Sequence, residues 1–453
     1  MLGRFLGVAL LATTVGVVIP ASMADAHGGP PNTRRLAFHP TDEDTIFAQA
    51  TFGLLVSEDR GVSWRVVCEE AIGWQTTENP TIQATTSGPV VLGLFKGLYR
   101  TETFCGADLS LAELENVPII DTDNDPTDRT RLIAATSLGS FENRVYVSED
   151  DGETWTPSAG RFPEGDLPEG VRVAPSMPER LYLAGVRLEP RTGFFARSDD
   201  SGGMWTSVDV PLLGATTLLL GAVDPTDPLR VLVWRHYVDE PDALMLTEDG
   251  GETWDDVASV SGDLSAVAFS QDGSRVWYGG EDKGLHASDD GGRTWSPVLT
   301  DLAVRCLASR GDELWVCADN FADGFAVGVS TNGGETFEPR LVYRQLTGQV
   351  ECGAGTRSAE VCPVAWRAIQ DLFGLDAGPR PDGGTGEPDG DAPEADAAMN
   401  ADAGSGDRSE DDCDCAVPGA RGAARWTASA WAWIGLVMVV VWRRARRRGR
   451  REE

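Results

Sequence analysis

The chain of 453 residues is poor in the residue types from which most catalytic and nucleic-acid-binding sites are built. It contains only 4 histidines and 6 tyrosines, and its 38 Lys and Arg residues face 71 Asp and Glu residues, which gives a formal net charge of −33. Binding to a nucleic-acid backbone requires clustered positive charge, so this composition argues against a nucleic-acid partner. His-Glu-x-x-His, Gly-x-Ser-x-Gly and Walker-type phosphate-loop motifs are all absent. We therefore predict no catalytic residue, no metal ligand and no cofactor.

An eight-residue motif, in contrast, recurs along the chain. The copies are SEDRGVSW (57–64), SEDDGETW (148–155), SDDSGGMW (198–205), TEDGGETW (247–254), SDDGGRTW (288–295) and the weaker STNGGETF (330–337). The starts at 148, 198, 247, 288 and 330 are 50, 49, 41 and 42 residues apart. A degenerate copy starting at Thr101, in GLYRTETFCG (97–106), divides the remaining gap of 91 residues into 44 and 47. A period of about 40–50 residues indicates a repeat architecture, here with seven units.

Each unit also carries short apolar segments that are separated by turn residues. In one unit, LLLGAV (218–223) precedes the turn DPTDPL (224–229), and RVLVW (230–234) and ALMLT (243–247) follow. Proline, aspartate and small polar residues are typical of turns, and the aromatic residue that closes the motif begins a fourth strand. Four short strands in each of seven units, with no long helical period, predict an all-β fold, a seven-bladed β-propeller of four-stranded antiparallel blades.

The motif has the composition of a tight turn between the third and fourth strands. Its aspartate can accept hydrogen bonds from backbone amides of the turn, its glycine permits a positive φ, and its tryptophan can pack between sheets. These stretches resemble the Asp-box, also called the BNR repeat, and the resemblance implies structural turns at the blade periphery. The residues concerned are Asp59, Gly61, Trp64, Asp150, Gly152, Trp155, Asp200, Gly202, Trp205, Asp249, Gly251, Trp254, Asp290, Gly292 and Trp295.

The predicted topology separates the loops of the propeller into two faces. Because antiparallel strands alternate in direction, the first–second and third–fourth turns share one face, and the second–third loops share the other with the crossings between blades. The second set varies in length and chemistry, and variable loops on a rigid repeat are where binding usually lies. We predict a ligand site there that includes Trp74, Arg161, Arg187, Arg191, His236, Tyr237 and Phe321.

A propeller with such loops could serve as a binding or scaffold module for a protein or a glycan. Two families that share the motif suggest alternatives to this function. Resemblance to sialidases implies an extracellular glycoside hydrolase, but those enzymes also require an arginine triad, a Tyr–Glu nucleophile pair and an Arg-Ile-Pro motif before the first box. The nearest match, RFP (161–163), follows the third box. Resemblance to the photosystem II stability factors implies an assembly factor, and those proteins carry an arginine patch that we do not find in this acidic sequence. A non-catalytic binding propeller is therefore the favoured interpretation, with the sialidase-like hydrolase as the alternative.

Six of the 8 cysteines lie within the predicted propeller and are expected to form disulfides. Cys306 and Cys317 flank LASRGDELWV symmetrically, so a hairpin would place them opposite each other. Local pairing then favours Cys352 with Cys362 and leaves Cys68 for Cys105, although sequence alone does not decide connectivity.

The two ends of the chain have the composition of sorting segments. Residues 1–26 combine Arg4, an apolar core and an Ala-Asp-Ala site, which is typical of a secretory signal peptide. The predicted propeller spans 27–375, and an acidic, aromatic-poor linker (376–425) follows. The uncharged segment 426–442 is about 25 Å long as a helix, just enough to span a bilayer, and the basic tail 443–453 should stay cytoplasmic.

Cys413 and Cys415, the apolar segment and the arginine cluster together resemble the MYXO-CTERM sorting signal of myxobacteria. That resemblance implies processing by a sorting protease near one of the two cysteines and retention at the cell surface or outer membrane of a Gram-negative bacterium. A plain single-pass anchor, with a disulfide in the linker, is the simpler alternative.

Overall fold

The structure, a computed structural model, describes residues 30–74, 78–260, 262–281 and 284–375. The predicted signal peptide, acidic linker, apolar segment and basic tail lie outside these residues, as do Cys413 and Cys415. Within the described ranges, no helix is both long and apolar enough to cross a bilayer.

Seven antiparallel sheets form the body, which confirms the predicted seven-bladed propeller of four-stranded blades. Blade 1 comprises β1 (Thr33–Phe38), β2 (Ile46–Ala50), β3 (Gly53–Ser57) and β4 (Arg65–Val67), and blade 2 comprises β5 (Thr81–Ala84), β6 (Val90–Leu94), β7 (Gly97–Thr101) and β8 (Asp108–Leu109). Blade 3 comprises β9 (Ile119–Asn124), β10 (Leu132–Thr136), β11 (Val145–Ser148) and β12 (Thr156–Pro157). Blade 4 comprises β13 (Asp166–Ala174), β14 (Met177–Leu188), β15 (Arg191–Ser198) and β16 (Thr206–Val210). Blade 5 comprises β17 (Thr217–Val223), β18 (Val231–His236), β19 (Asp242–Thr247) and β20 (Asp255–Val260). Blade 6 comprises β21 (Leu264–Phe269), β22 (Val276–Gly280), β23 (Gly284–Ser288) and β24 (Ser296–Leu299). Blade 7 comprises β25 (Cys306–Arg310), β26 (Glu313–Cys317), β27 (Val327–Ser330) and β28 (Glu338–Leu341).

Strand burial follows position within a blade. Every residue of β2, β6, β10 and β22 is buried, because a middle strand is covered on both faces by neighbouring blades. The outer strands β16 and β20 are largely exposed. The first strand of each blade is innermost and contacts the first strands of the two adjacent blades, and the contact between β25 and β1 completes the ring. Continuous apolar runs therefore mark middle strands in this fold.

A segment that follows blade 7 closes the ring from outside, and we call residues 343–375 the C-terminal strap. It contains β29 (Gly348–Gln349), which pairs parallel to β4, and helix α1 (Arg357–Phe373). The all-β prediction did not include α1. Thr356 caps the start of this helix by accepting a hydrogen bond from the Ala359 amide, and its buried Ile369 and Phe373 join the apolar core of blades 1 and 7.

Three disulfides connect the six cysteines of the propeller, and their pairing corrects the sequence prediction in two cases. Cys306–Cys317 joins directly opposed residues of β25 and β26, as predicted. The predicted local pairs Cys352–Cys362 and Cys68–Cys105 are wrong, since Cys68 pairs with Cys362 and Cys105 with Cys352. The physical reason is the strap, which runs along blades 1 and 2 and carries both of its cysteines to residues far away in sequence. The strap is thus held covalently to the start of the propeller.

Candidate functional site

The eight-residue turns use their polar groups internally. In the blade 5 copy, the Asp249 carboxylate accepts hydrogen bonds from the Glu252 and Thr253 amides at 2.9 Å each and from the Thr253 hydroxyl at 2.6 Å. The Thr247 hydroxyl donates to Asp249 and accepts from the Gly251 amide, both at 2.8 Å. These hydrogen bonds outweigh the opposing effect of desolvation and lower the pKa of Asp249 to about 2. With its carboxylate engaged in this way, the turn acts as a structural brace.

The same arrangement recurs around one face of the ring, which we call the turn face. Asp59, Asp150, Asp200 and Asp290 each accept from the hydroxyl two residues before and from the amide four residues after. Gly251 adopts φ 102°, a conformation that favours glycine. The degenerate copy in blade 2 keeps one bond of this kind, from the Phe104 amide to the Thr101 hydroxyl at 2.9 Å.

The tryptophans of these turns pack against neighbouring side chains. Trp64 and Trp155 are buried, and the Trp64 indole donates to the Arg340 carbonyl of blade 7 at 2.8 Å. Trp205, Trp254 and Trp295 are partly buried against the clusters between blades. The indoles therefore fill space between sheets on the turn face.

A groove of about 370 Å³ also lies on the turn face, between blades 6 and 7. Asp272, Arg275, Trp277, Asp312 and Glu313 are among its lining residues. The Trp277 ring is buried, and its indole donates to the Gly333 carbonyl at 2.9 Å. The groove thus offers charged groups of both signs without an exposed aromatic surface.

The opposite face, which we call the crossing face, bears the seven residues of the predicted ligand site. Three of them do not form a common site. Trp74 is buried and donates its indole N–H to the Glu78 carbonyl at 3.3 Å, which is a packing role. Arg161 pairs with Glu142 at 2.8 Å in the blade 3 loops, and Phe321 is exposed on blade 7.

The other four residues come together on blades 4 and 5. Arg187 pairs with Asp166 at 3.1 Å and also with Asp209, within blade 4. Arg191 reaches across to blade 5 and donates to the Thr216 carbonyl at 2.5 Å. Because the Thr216 amide donates to the His236 carbonyl at 2.8 Å, these contacts form a continuous connection between the two blades.

His236 and Tyr237 are held by an aspartate that the sequence analysis passed over. The fully buried Asp242 carboxylate accepts from the Tyr237 amide and from the Leu264 amide of blade 6, both at 2.9 Å, and lies 3.2 Å from His236 Nδ1. The hydrogen bond with Asp242 raises the pKa of His236, against its partial burial. The charges of Asp263 and Glu169 act in the same direction, so the imidazole lies in a negative environment.

Exposed apolar side chains lie on the loops that carry this cluster and were also not predicted. Leu188, Leu213 and Val238 are 41 %, 69 % and 62 % exposed. Tyr237 lies between the loops, since its ring is 4.0 Å from the position a Cβ of Gly214 would take. Leu213 adopts φ 53°, which is uncommon for a leucine and keeps the turn before blade 5 tightly folded. We call Leu188, Arg191, Leu213, Tyr237 and Val238 the blade 4–5 surface.

Ion pairs between inner strands link blades 1, 3 and 4 near the centre of the ring. The buried Asp121 carboxylate pairs with Arg35 at 3.2 Å and with Arg172 at 2.5 Å. The neighbouring Asp123 carboxylate accepts a hydrogen bond from the backbone amide of Val173 on β13 at 2.8 Å. Burial raises the pKa of Asp123 to about 6, although Arg172 opposes this shift. These groups satisfy one another and fasten blade 3 to blade 4.

Comparison with known proteins identifies the fold but no family. No protein-family model matches the chain, and no curated protein matches it. Among solved structures, an ancestral GH74 enzyme aligns with a TM-score of 0.52 and 14% identity over 68% of this chain and 46% of that enzyme. YCF48 bound to a D1 peptide aligns with a TM-score of 0.39 and 13% identity over 69% of this chain and 82% of that one. YCF48 from Cyanidioschyzon merolae has a TM-score of 0.32 and 17% identity over 49% and 71%.

The comparison with the GH74 enzyme supports the propeller fold, and at such low identity it carries no functional argument. The chain spans less than half of that enzyme's length. The two lower TM-scores add nothing to the argument. Function must therefore be argued from the residues of this chain.

Proposed function

We propose that this protein is a non-catalytic propeller of the Asp-box type that binds a protein partner through the blade 4–5 surface. The observation that carries the proposal is the exposure of Leu188, Leu213 and Val238 on adjoining loops. Exposed apolar side chains on adjoining loops of a folded domain, with polar groups around them, are typical of protein interaction sites. Arg191 and Tyr237 belong to residue types that are enriched among the dominant contacts of such interfaces.

A protein ligand fits this surface better than a glycan does. Carbohydrate sites usually present a flat aromatic ring on which a sugar can stack, whereas the exposed side chains here are aliphatic. The Tyr237 ring is half-buried against the apolar cluster that includes Leu212 and Ala215. The aliphatic groups and the partly covered ring therefore favour an apolar protein segment as the ligand.

The composition of the two chain ends supports a location at the cell surface. The signal-like residues 1–26 would direct export, and the cysteines, apolar segment and arginines of the C-terminal region would serve as a MYXO-CTERM-type anchor and sorting signal.

A photo-crosslinking experiment on the full chain tests the proposal. A photoreactive residue at position 238 should capture a defined partner on the producing cells, and that partner, once purified, should bind the full chain directly. The double substitution Leu213→Asp/Val238→Asp should weaken this binding at least tenfold, because it places charge in an apolar contact.

The matched control is Val62→Asp/Met204→Asp, which changes two exposed apolar residues of the turn face. Equal loss of binding in both double variants, or unchanged binding in the first, would overturn the proposed surface. Binding to a glycan array with the same residue dependence would replace the protein ligand by a glycan.

Glycoside hydrolysis remains the second candidate because of one residue. Desolvation raises the pKa of Glu169 to about 7, against the opposing influence of His236, and a raised carboxyl pKa is what a general acid of a glycosidase needs. Turnover of sialosides or other glycosides by the full chain, abolished by Glu169→Gln, would establish this function and displace the binding proposal.

A further inference from the structure

Three groups with metal-binding donor atoms converge between blades 5 and 6 on the crossing face. His236 ends β18, Asp242 begins β19, and Asp263 immediately precedes β21. One donor atom from each lies within 4.8 Å of the other two. His236 and Asp242 flank one hairpin loop, whereas Asp263 comes from the crossing to the next blade, so the complete set of three is assembled by the fold.

The central donor of this group is fixed in place. Asp242 is fully buried, and the amides of Tyr237 and Leu264 each hold one of its oxygens at 2.9 Å. Each carboxylate oxygen has a second lone pair, so these two bonds leave acceptor capacity on the side of His236. A rigid, desolvated carboxylate with spare lone pairs is a suitable anchor for a cation.

The charge balance at this position differs from that at most other buried aspartates, the exception being Asp151, whose carboxylate is held by Thr86 and Ser87 and not by a basic group. Asp121, Asp166 and Asp224 each pair with an arginine, at 2.5 Å, 3.1 Å and 2.8 Å. Within the described part of the chain, Asp242 forms no ion pair with arginine or lysine, and its one charged partner is His236. A buried carboxylate without a permanent cation is costly, and a metal ion would supply the missing charge.

We propose that His236, Asp242 and Asp263 bind a divalent transition-metal ion and thereby join blade 5 to blade 6. One imidazole nitrogen with two carboxylate oxygens is a donor set suited to Zn²⁺ or Mn²⁺, whereas Ca²⁺ prefers six to eight oxygen ligands. With metal–ligand bonds of about 2.1 Å, tetrahedral ligands lie about 3.4 Å apart. His236 Nδ1 and Asp242 Oδ1, at 3.2 Å, already match this spacing.

The third donor has the freedom to complete the site. Asp263 is exposed, so its side chain can move the remaining distance toward the other two without disturbing packed residues. Water would fill the positions that these three ligands leave open. The site is independent of the proposed protein ligand, since Leu213 and Val238 contribute no donor atom.

Binding of Zn²⁺ to the EDTA-treated full chain tests this proposal. Isothermal titration calorimetry should detect binding at one site that Asp263→Asn and His236→Gln each weaken at least tenfold. Asp263→Asn is the more informative variant, because an exposed carboxylate can be replaced without loss of folding. The matched control Asp301→Asn alters an exposed aspartate on the crossing between blades 6 and 7 and should bind Zn²⁺ like the unchanged chain.

A second readout uses Co²⁺, whose visible absorption reports coordination directly. Absorption typical of bound Co²⁺ should appear with the unchanged chain and with Asp301→Asn and be lost with Asp263→Asn. Zn²⁺ binding that is equal in all variants would overturn the proposal, as would Ca²⁺ binding tighter than Zn²⁺. Failure to bind any metal would also overturn the proposal, and it would not affect the partner-binding test.

Discussion

At the scale of single residues, the aspartates of this protein act in two opposite ways. The aspartates of the turn face are partly exposed and collect several hydrogen bonds, which favour the charged form. Asp123 is partly buried on an inner strand, where desolvation favours the protonated form. The same side chain thus stabilises the fold as an anion at one site and is best accommodated as a neutral acid at the other.

Replacing the turn aspartate of blade 5 should measure how much one brace contributes. Asp249→Ala removes the acceptor of four hydrogen bonds and should lower the free energy of unfolding by about 1–2 kcal/mol, a modest value because the site is near solvent. Urea unfolding checks this result. Glu252→Ala in the same turn is the control, because only the backbone amide of Glu252 is engaged, and an equal effect of the two changes would contradict the brace.

Acid should weaken the stabilisation that Asp249 gives to the blade 5 turn. Because the pKa of Asp249 is lowered to about 2, its contribution is complete above the unfolded pKa of about 3.9 and is lost as the pH falls toward 2. The difference in unfolding free energy between Asp249→Ala and the unchanged chain should therefore shrink between pH 4 and pH 2. A constant difference over this range would mean that the charge of Asp249 is not what stabilises the turn.

The inner-strand aspartate should show the opposite pH dependence. With a folded pKa of about 6, Asp123 contributes stability that is present below its unfolded pKa and is lost as the pH rises through 6. Asp123→Asn keeps an oxygen for the Val173 amide but does not ionise, so above pH 7 it should be more stable than the unchanged chain by about 2 kcal/mol. Urea unfolding at pH 4 and pH 7.5 checks the prediction, with Asp301→Asn as an exposed control.

At the scale of elements, the C-terminal strap is the part of the molecule that departs from the repeat. Its helix α1 contributes apolar residues to the core of blades 1 and 7, and Cys362 within α1 bonds to Cys68 beyond the end of β4. The strap adds a fifth strand to blade 1 alone, through parallel pairing of β29 with β4. The contact between β25 and β1 closes the ring, and the strap reinforces this junction by adding a strand from the C-terminal part of the chain to blade 1.

Removal of the disulfide that holds α1 should loosen this element selectively. In Cys68→Ala/Cys362→Ala, amides of residues 357–373 should exchange with solvent at least tenfold faster, and the free energy of unfolding should fall by about 2–4 kcal/mol. Hydrogen-exchange mass spectrometry distinguishes exchange in α1 from exchange in the rest of the propeller. The hairpin variant Cys306→Ala/Cys317→Ala should leave exchange in α1 unchanged, and faster exchange there in both variants would contradict a local role for the strap.

At the scale of the whole molecule, sequence periodicity was sufficient to predict the ring but not its closure. Seven copies of a turn motif specify seven units, because each unit repeats the same local chemistry of hydroxyl, aspartate, glycine and aromatic residue. Cys68 and Cys362 are 294 residues apart, and nothing in their local sequence indicates that they meet. Pairing was predictable only for Cys306 and Cys317, whose contact is set by a hairpin.

The candidate sites, like the disulfides, could be predicted from the sequence only in part. Arg191, His236 and Tyr237 were identifiable because they lie in variable loops, but Asp263, which groups with His236 and Asp242, lies in the crossing to the next blade. The exposure of Leu213 also could not be foreseen, since the preceding Leu212 in the same crossing is buried. Contacts between neighbouring units are needed to assemble these sites, and a repeat pattern does not contain them.

The bond between Cys68 and Cys362 has a consequence for a damaged molecule. Together with the intervening backbone it makes residues 68–362, which include blades 2 to 7, a covalent macrocycle. A protease that cuts once anywhere inside this circle, for example at the exposed Phe321 loop, releases no fragment. The clipped protein should migrate as one species on a denaturing gel run without thiol and separate into two pieces when a thiol is added. A propeller with this disulfide would therefore keep both fragments covalently joined after a single cleavage.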